Sequence, residues 1–148
     1  MESCTFFGHR DCPDTIKPKL KEVLIELITE QNVNAFYVGN QGRFDALVRA
    51  VLRELKREYP HINYAVVLAY FPKENIIGED YSDTIIPDGI ENVPPRFAIS
   101  YRNNWMLNQS KYVLTYITRP RGGAYQFAQK AANQNKNVIN IAEQKDTW

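Results

Sequence analysis

The chain has 148 residues, 44% of them hydrophobic and 24% charged, with a formal net charge of +1. That length fits one domain with a sizeable core, and the near-neutral charge removes any general electrostatic drive toward nucleic acid or an anionic membrane. No apolar run approaches the roughly 20 residues of a membrane helix and residues 1–7 lack the basic and apolar regions of a leader, so a cytoplasmic protein is expected.

Residues 4–7 are a short apolar run stopped by Gly8, which reads as a buried strand, with Cys4 as a buried free thiol rather than half of a disulfide to Cys12. Asp14 reads as a helix cap with Pro18 in the first turns. Leu20, Val23, Leu24, Leu27 and Ile28 then recur at helical spacing, with Lys21, Glu22 and Glu26 on the other face. Residues 35–38 form a second strand, stopped by Gly39. A second helix covers residues 43–59, with an apolar stripe from Phe44 to Leu55 and a solvated face of Arg49, Arg53, Glu54, Lys56, Arg57 and Glu58. Pro60 ends it. Residues 64–70 are apolar without a break, as in a strand covered on both faces.

Residues 71–95 carry Pro72, Gly78, Pro87, Gly89, Pro94 and Pro95 and show no clear period, so a long loop or flap, or short structure without a signature, is expected. A third helix covers residues 97–109, a fourth strand 112–117, a fourth helix 123–135 and a fifth strand 138–141. Alternation of this kind predicts one α/β domain of Rossmann-like architecture over residues 1–148: a five-stranded parallel sheet in the order 3-2-1-4-5, with helices on both faces. Ligands of such sheets bind outside the carboxyl ends of the strands where the winding reverses, here strands 1 and 4.

Three glycine-bearing turns follow strand ends. Strand 1 runs into Gly8-His9-Arg10, strand 2 into Gly39-Asn40-Gln41-Gly42-Arg43-Phe44-Asp45, and strand 4 into Thr118-Arg119-Pro120-Arg121-Gly122-Gly123-Ala124. Glycine lets backbone approach a ligand, and a helix N-terminus offers free N–H groups and a partial positive charge that suit phosphate. Arginines can add forked, charge-assisted hydrogen bonds. None of the turns is the GxGxxG fingerprint, so hydride transfer is not expected. His9 reads equally as a general acid or base, a phosphate donor or a turn residue, and Asp45 as a helix-dipole partner or a ribose contact. His61 reads as a surface residue, Asp80, Asp83 and Asp88 as solvated, and no metal cluster is evident.

Cys4-Thr5-Phe6-Phe7-Gly8-His9-Arg10 resembles the opening of YpsA-type members of the SLOG superfamily, the group named for Smf/DprA and LOG proteins. Gly39, Gly42 and Asp45 are similar to that group's second glycine turn and helical aspartate. Arg102-Asn103-Asn104-Trp105-Met106 followed by Ser110 resembles the Arg-Lys-x-x-Met helix and serine of LOG-type proteins, and Gly122-Gly123-Ala124 falls on their phosphate turn. The resemblance implies a ligand site built from Gly8, His9, Arg10, Gly39, Asn40, Gly42, Asp45, Arg102, Thr118, Arg119, Arg121, Gly122, Gly123 and Ala124. LOG-type enzymes cleave the N-glycosidic bond of a nucleoside monophosphate through a turn reading Pro-Gly-Gly-x-Gly-Thr-x-x-Glu. Here Ala124 stands for the threonine and Phe127 for the catalytic glutamate, and a phenyl ring neither activates water nor stabilises an oxocarbenium ion.

The resemblance therefore implies a binder of a nucleotide-derived small molecule, such as ADP-ribose, a cyclic ADP-ribose or NAD, acting as a sensor or a sequestering protein of nucleotide signalling or phage conflict. It carries no catalytic residue, cofactor or metal. The alternatives are an N-glycosidase with a rearranged site and, as in DprA, single-stranded nucleic acid binding. Tyr101, Trp105, Tyr112 and Tyr125 could supply rings for the latter, but the net charge argues against it. The third helix carries Phe97, Ile99, Tyr101, Trp105, Met106 and Leu107, more apolar surface than one stripe needs. Trp105 reads as core or interface, and a homo-oligomer with Trp105 at or near the contact is expected.

Overall fold

In the computed structural model, which describes residues 2–71 and 83–142, six strands form one parallel sheet. They are β1 (Glu2–Gly8), β2 (Val33–Val38), β3 (Asn63–Val67), β4 (Thr84–Ile85), β5 (Tyr112–Tyr116) and β6 (Asn137–Asn140), in the order β4-β3-β2-β1-β5-β6. The helices are α1 (Lys17–Glu30), α2 (Gly42–Glu58), α3 (Ala98–Gln109) and α4 (Gly123–Asn133).

Strand periodicity sorts the core into two layers. Cys4, Phe6, Phe36 and Leu114 point to one face, where they meet the stripes of α1 and α2. Phe7, Val113 and Val138 point to the other, against Met106 and Leu107 of α3 and Ala131 of α4. Phe127 lies in this second layer, stacked on Phe7 with ring centroids 5.3 Å apart. Trp105 is half-buried in the same layer, edge-on to Tyr37 at 5.5 Å.

The expected five-stranded sheet in the order 3-2-1-4-5 is corrected to six strands. The added one, β4, comes from the segment read as a loop or flap. Val66 N–H donates to Asp83 O and Leu68 N–H to Ile85 O at 2.8 and 2.9 Å, joining it to the edge beyond β3. Two residues are too few to display a period of two, so backbone pairing alone defines the strand. The rest of the described segment holds short 3-10 turns at Ile90–Asn92 and Pro95–Phe97. Asp80, Pro72 and Gly78 lie outside the described residues, and Asp83 and Asp88 are exposed.

Two local expectations also change. Asp14 caps no helix; it opens a 3-10 turn, Asp14–Ile16, and pairs with Arg43 at 3.1 Å, while α1 begins three residues later with Pro18 in its first turn. Arg49 is not on a solvated face, since its Nη1 donates to Gly39 O at 3.2 Å. Both cysteines are buried and unpaired. Burial drives the Cys4 thiol far above the ordinary range and pushes Cys12 up to about 11. Because the thiolate is the reactive form, neither thiol is expected to react with a disulfide reagent in the native protein at neutral pH, and both should react after unfolding. Rapid labelling of the native chain would contradict the packing around β1.

Candidate ligand-binding site

A cavity of about 530 Å³ opens at the carboxyl ends of β1 and β5. Its walls are the turn after β1, the first turn of α2, the inner side of α3 and the turn that opens α4.

The first two turns interlock through their glycines. A Cβ on Gly8 would sit 2.3 Å from ring carbons of Phe44, so glycine there lets α2 close onto β1. Gly42 has φ +87°, which favours glycine, and a Cβ there would meet the Arg10 side chain at 2.7 Å. Arg43 N–H donates to Arg10 O at 2.9 Å, and Arg10 Nη2 donates to Gln41 Oε1 at 3.1 Å.

Behind these turns lie two buried charges, Asp45 and Arg102. A Cβ on Gly39 would come within 2.7 Å of Arg102 Nη1 and 2.8 Å of Asp45 Oδ2, so this glycine makes room for both. Asp45 Oδ2 accepts the Gln41 N–H at 3.0 Å. Burial raises the Asp45 carboxyl above the usual range, against the pull of that hydrogen bond and of Arg102. Arg102 is 2% exposed. Its Nη1 donates to Val67 O at 2.9 Å and to Asn40 Oδ1 at 3.5 Å, and its Nε to Asn103 Oδ1 at 2.8 Å. Burial lowers its proton affinity while Asp45 supports it, and a guanidinium keeps its charge in such settings.

On the opposite wall, His9 N–H donates to Tyr116 O at 3.1 Å. Arg119 N–H donates to His9 Nε2 at 3.4 Å, and Arg119 Nη2 lies 2.9 Å from Asp11 Oδ1. Arg119 holds the Asp11 carboxyl below the usual range. Gly122, at φ +96°, turns the chain into α4, whose first turn closes with Gln126 N–H on Gly122 O at 3.1 Å. Nothing stands within 4 Å of a Cβ built on Gly122 or Gly123, so the helix N-terminus faces open space. Its first N–H groups have no intrahelical acceptor. Among the described residues, Arg10 and Arg121 pair with no carboxylate. Phe6, Phe7, Ile99, Met106 and Ala124 make the apolar part of the lining.

The structure thus gathers Gly8, His9, Arg10, Asp45, Arg102, Arg119, Arg121, Gly122, Gly123 and Ala124 around one cavity. Gly39, Asn40 and Gly42 stand behind its wall, in contact with Arg102, Asp45 or Arg10 as described, and exposed Thr118 is outside the lining. Sequence reasoning missed Phe6, Phe7, Asp11, Gln41, Ile99, Asn103 and Met106. The signal for three of these was present: Ile99, Arg102, Asn103 and Met106 recur at i, i+3, i+4 and i+7, one face of a helix. Phe127 and Ser110 lie outside the lining; Ser110 Oγ donates to Met106 O at 2.9 Å and secures the end of α3. His61 sits away from the cavity, edge-on to Tyr59.

The chain is similar in fold to the X-ray structure of DNA processing protein A (DprA) from Streptococcus pneumoniae, with a TM-score of 0.71 and 16% sequence identity over 99% of this chain and 52% of that one. This chain therefore spans about half the length of that protein. No family model matches the sequence, and no curated protein matches it. At this identity the likeness shows a DprA-like, Rossmann-like α/β fold. No helix among the described residues is long and apolar enough to cross a membrane.

Proposed function

We propose that this cavity binds a nucleotide-derived small molecule of the ADP-ribose, cyclic ADP-ribose or NAD type, and that the chain senses or sequesters it as a member of the SLOG superfamily. One observation carries the reading: the open N-terminus of α4, with bare Gly122 and Gly123, lines the same cavity as two arginines without carboxylate partners among the described residues. An anion there gains hydrogen bonds and the helix dipole together, and Arg10 and Arg121 supply matching charge. The cavity volume is that of a small-molecule site, and its apolar side chains beside charged and polar ones suit a base and sugar beside phosphate. Buried Asp45, with one carboxyl oxygen bonded to Gln41, is placed to accept from a sugar hydroxyl.

Titration calorimetry with ADP-ribose, cyclic ADP-ribose, NAD and AMP tests this. A charged hydrogen bond contributes about 1.5–3 kcal/mol, so Arg10→Ala and Arg121→Ala should each weaken binding by roughly ten- to a hundredfold. No heat with any of the four, in protein shown free of nucleotide, would reject the ligand class. Affinity unchanged in both variants would move the ligand elsewhere.

Two other activities are separated by the same material. An N-glycosidase needs a carboxylate at the glycosidic carbon; Phe127 offers none, so release of base from AMP would have to depend on Asp45 or Asp11, the carboxylates of the lining. DNA enters through the name of the fold neighbour, DNA processing protein A. Binding of a single-stranded oligonucleotide with a steep salt dependence would favour it. The reading also includes a homo-oligomer through α3, where Trp105 is half-buried.

A further inference from the structure

The two turns that frame the cavity are joined by a brace, and both of its struts end on Arg119. His9 and Asp11, two positions apart on the β1 turn, hold the Arg119 backbone N–H and guanidinium respectively. The brace continues to the phosphate turn, because Arg121 N–H donates to Arg119 O at 2.9 Å. His9 has little freedom to leave. It is 4% exposed, its own N–H is taken by Tyr116 O, and its ring lies edge-on to Tyr116 at 6.4 Å. For Nε2 to accept the Arg119 N–H, the imidazole must be neutral and carry its proton on Nδ1.

We propose that Arg119 is a positioning residue rather than a ligand of the anion, and that the His9–Arg119 bond makes the ligand affinity of the glycine turn fall in acid. The proposal rests on the ligand reading above. Arg119 is already matched by Asp11, whereas Arg10 and Arg121 pair with no carboxylate among the described residues. Protonation would put an N–H on Nε2, facing the N–H of Arg119, and the strut would open.

The charged groups around His9 act in both directions. Asp11 on its own turn favours the imidazolium, and Arg119 on the β5 turn opposes it. Arg10, Arg121, Arg102 of α3 and Asp45 of α2 share the cavity. Burial is the leading influence, with Arg119 next, and together they press His9 below its ordinary range. The brace is therefore intact above the folded-state pKa of His9 and lost as pH falls through it.

The opposing arrangement has a different sign. A bound anion attracts a proton to a nearby imidazole, so a His9 that donated directly to phosphate would bind more tightly in acid.

Nuclear magnetic resonance of the 15N-labelled full chain reads the brace without any ligand. The expected result is the Nδ1–H tautomer of His9, with the Arg119 amide shifting along the same titration curve. An Nε2–H tautomer, or an Arg119 amide indifferent to His9, overturns the proposal. Affinity is then measured with ADP-ribose from about pH 7.5 down to about pH 5. Each of its phosphates carries one ester and one anhydride bond, so the ligand lacks the phosphomonoester proton that titrates near pH 6. Below the His9 titration, binding should weaken by up to roughly tenfold per pH unit, the slope of one linked proton. His9→Gln, whose Oε1 accepts from the Arg119 N–H at any pH, should flatten the profile and bind better than wild type at the acid end. Tighter binding in acid, or a His9→Gln profile as steep as wild type, overturns the proposal. Absence of binding at every pH by ADP-ribose, and by cyclic ADP-ribose, NAD and AMP in its place, overturns the ligand reading and the affinity half of the proposal with it, and the ring-nitrogen measurement alone then decides whether the brace exists.

Discussion

Arg102→Ala is expected to lower the unfolding free energy by about 3–5 kcal/mol, the cost of removing one member of a buried charge cluster. For a domain of this size that corresponds to a fall in Tm of roughly 6–20 °C. Three losses combine. One of the largest fully buried side chains is removed from beside the cavity, Val67 O loses its donor at 2.9 Å, and Asp45 loses the nearest buried cation. The carboxyl of Asp45 is already raised by burial, and without Arg102 it rises further. A raised folded-state pKa means that the native state takes up a proton the unfolded chain does not. Stability from this group is then present at low pH and lost as pH rises through the folded-state pKa. The deficit of the variant should therefore shrink on acidification. Adding Asp45→Asn, which keeps an oxygen for the Gln41 N–H but carries no charge, should recover part of it. Calorimetric melts of the two single variants and the double variant measure the coupling. A loss below about 1 kcal/mol for Arg102→Ala would mean that the cluster does not carry this weight.

Gly8→Ala is the second change with a large expected effect. The new methyl would lie 2.3 Å from two ring carbons of Phe44 and 2.8 Å from a third. Phe44 is 0% exposed, so its ring has no solvent to move into. Forcing atoms into a packed core costs about 1–3 kcal/mol and occasionally more. The displaced element would be the first turn of α2, which carries Asp45 and follows Gln41, so ligand affinity should fall along with stability. Phe44→Leu removes the ring atoms in question. On its own it should destabilise, yet combined with Gly8→Ala it should cost less than the sum, with a coupling of about 1 kcal/mol or more in urea denaturation. Strict additivity of the two changes would show that the close approach of Gly8 and Phe44 is not what excludes a side chain.

Gly8 also illustrates how far residue patterns reach. Read along the chain, Gly8, Gly39 and Gly42 look like places where backbone meets a ligand. In the fold each makes room for a side chain of the protein itself: Phe44, the Asp45 and Arg102 pair, and Arg10. Among the described glycines, only Gly122 and Gly123 face open space. Composition marks where a Cβ is excluded; it does not say what excludes it.

The alternation of short apolar runs with amphipathic helices determined the α/β class, the parallel sheet and the edge at which a site could form. Those signals are local, because a strand of four to seven residues and a helix of three or more turns each display their own period. Local signals also marked the glycine turns and the arginines beside them. Two kinds of feature depended on tertiary structure. β4 exists because two residues find hydrogen-bond partners on β3, which no periodicity announces. The internal wiring of the cavity depends on residues distant in the chain: Arg102 reaching Val67 O and Asn40, and Arg119 reaching His9 across 110 positions. Pairings of that kind follow from strand order and helix packing. They decide which arginines are matched by a carboxylate among the described residues, as Arg119 is by Asp11, and which are not.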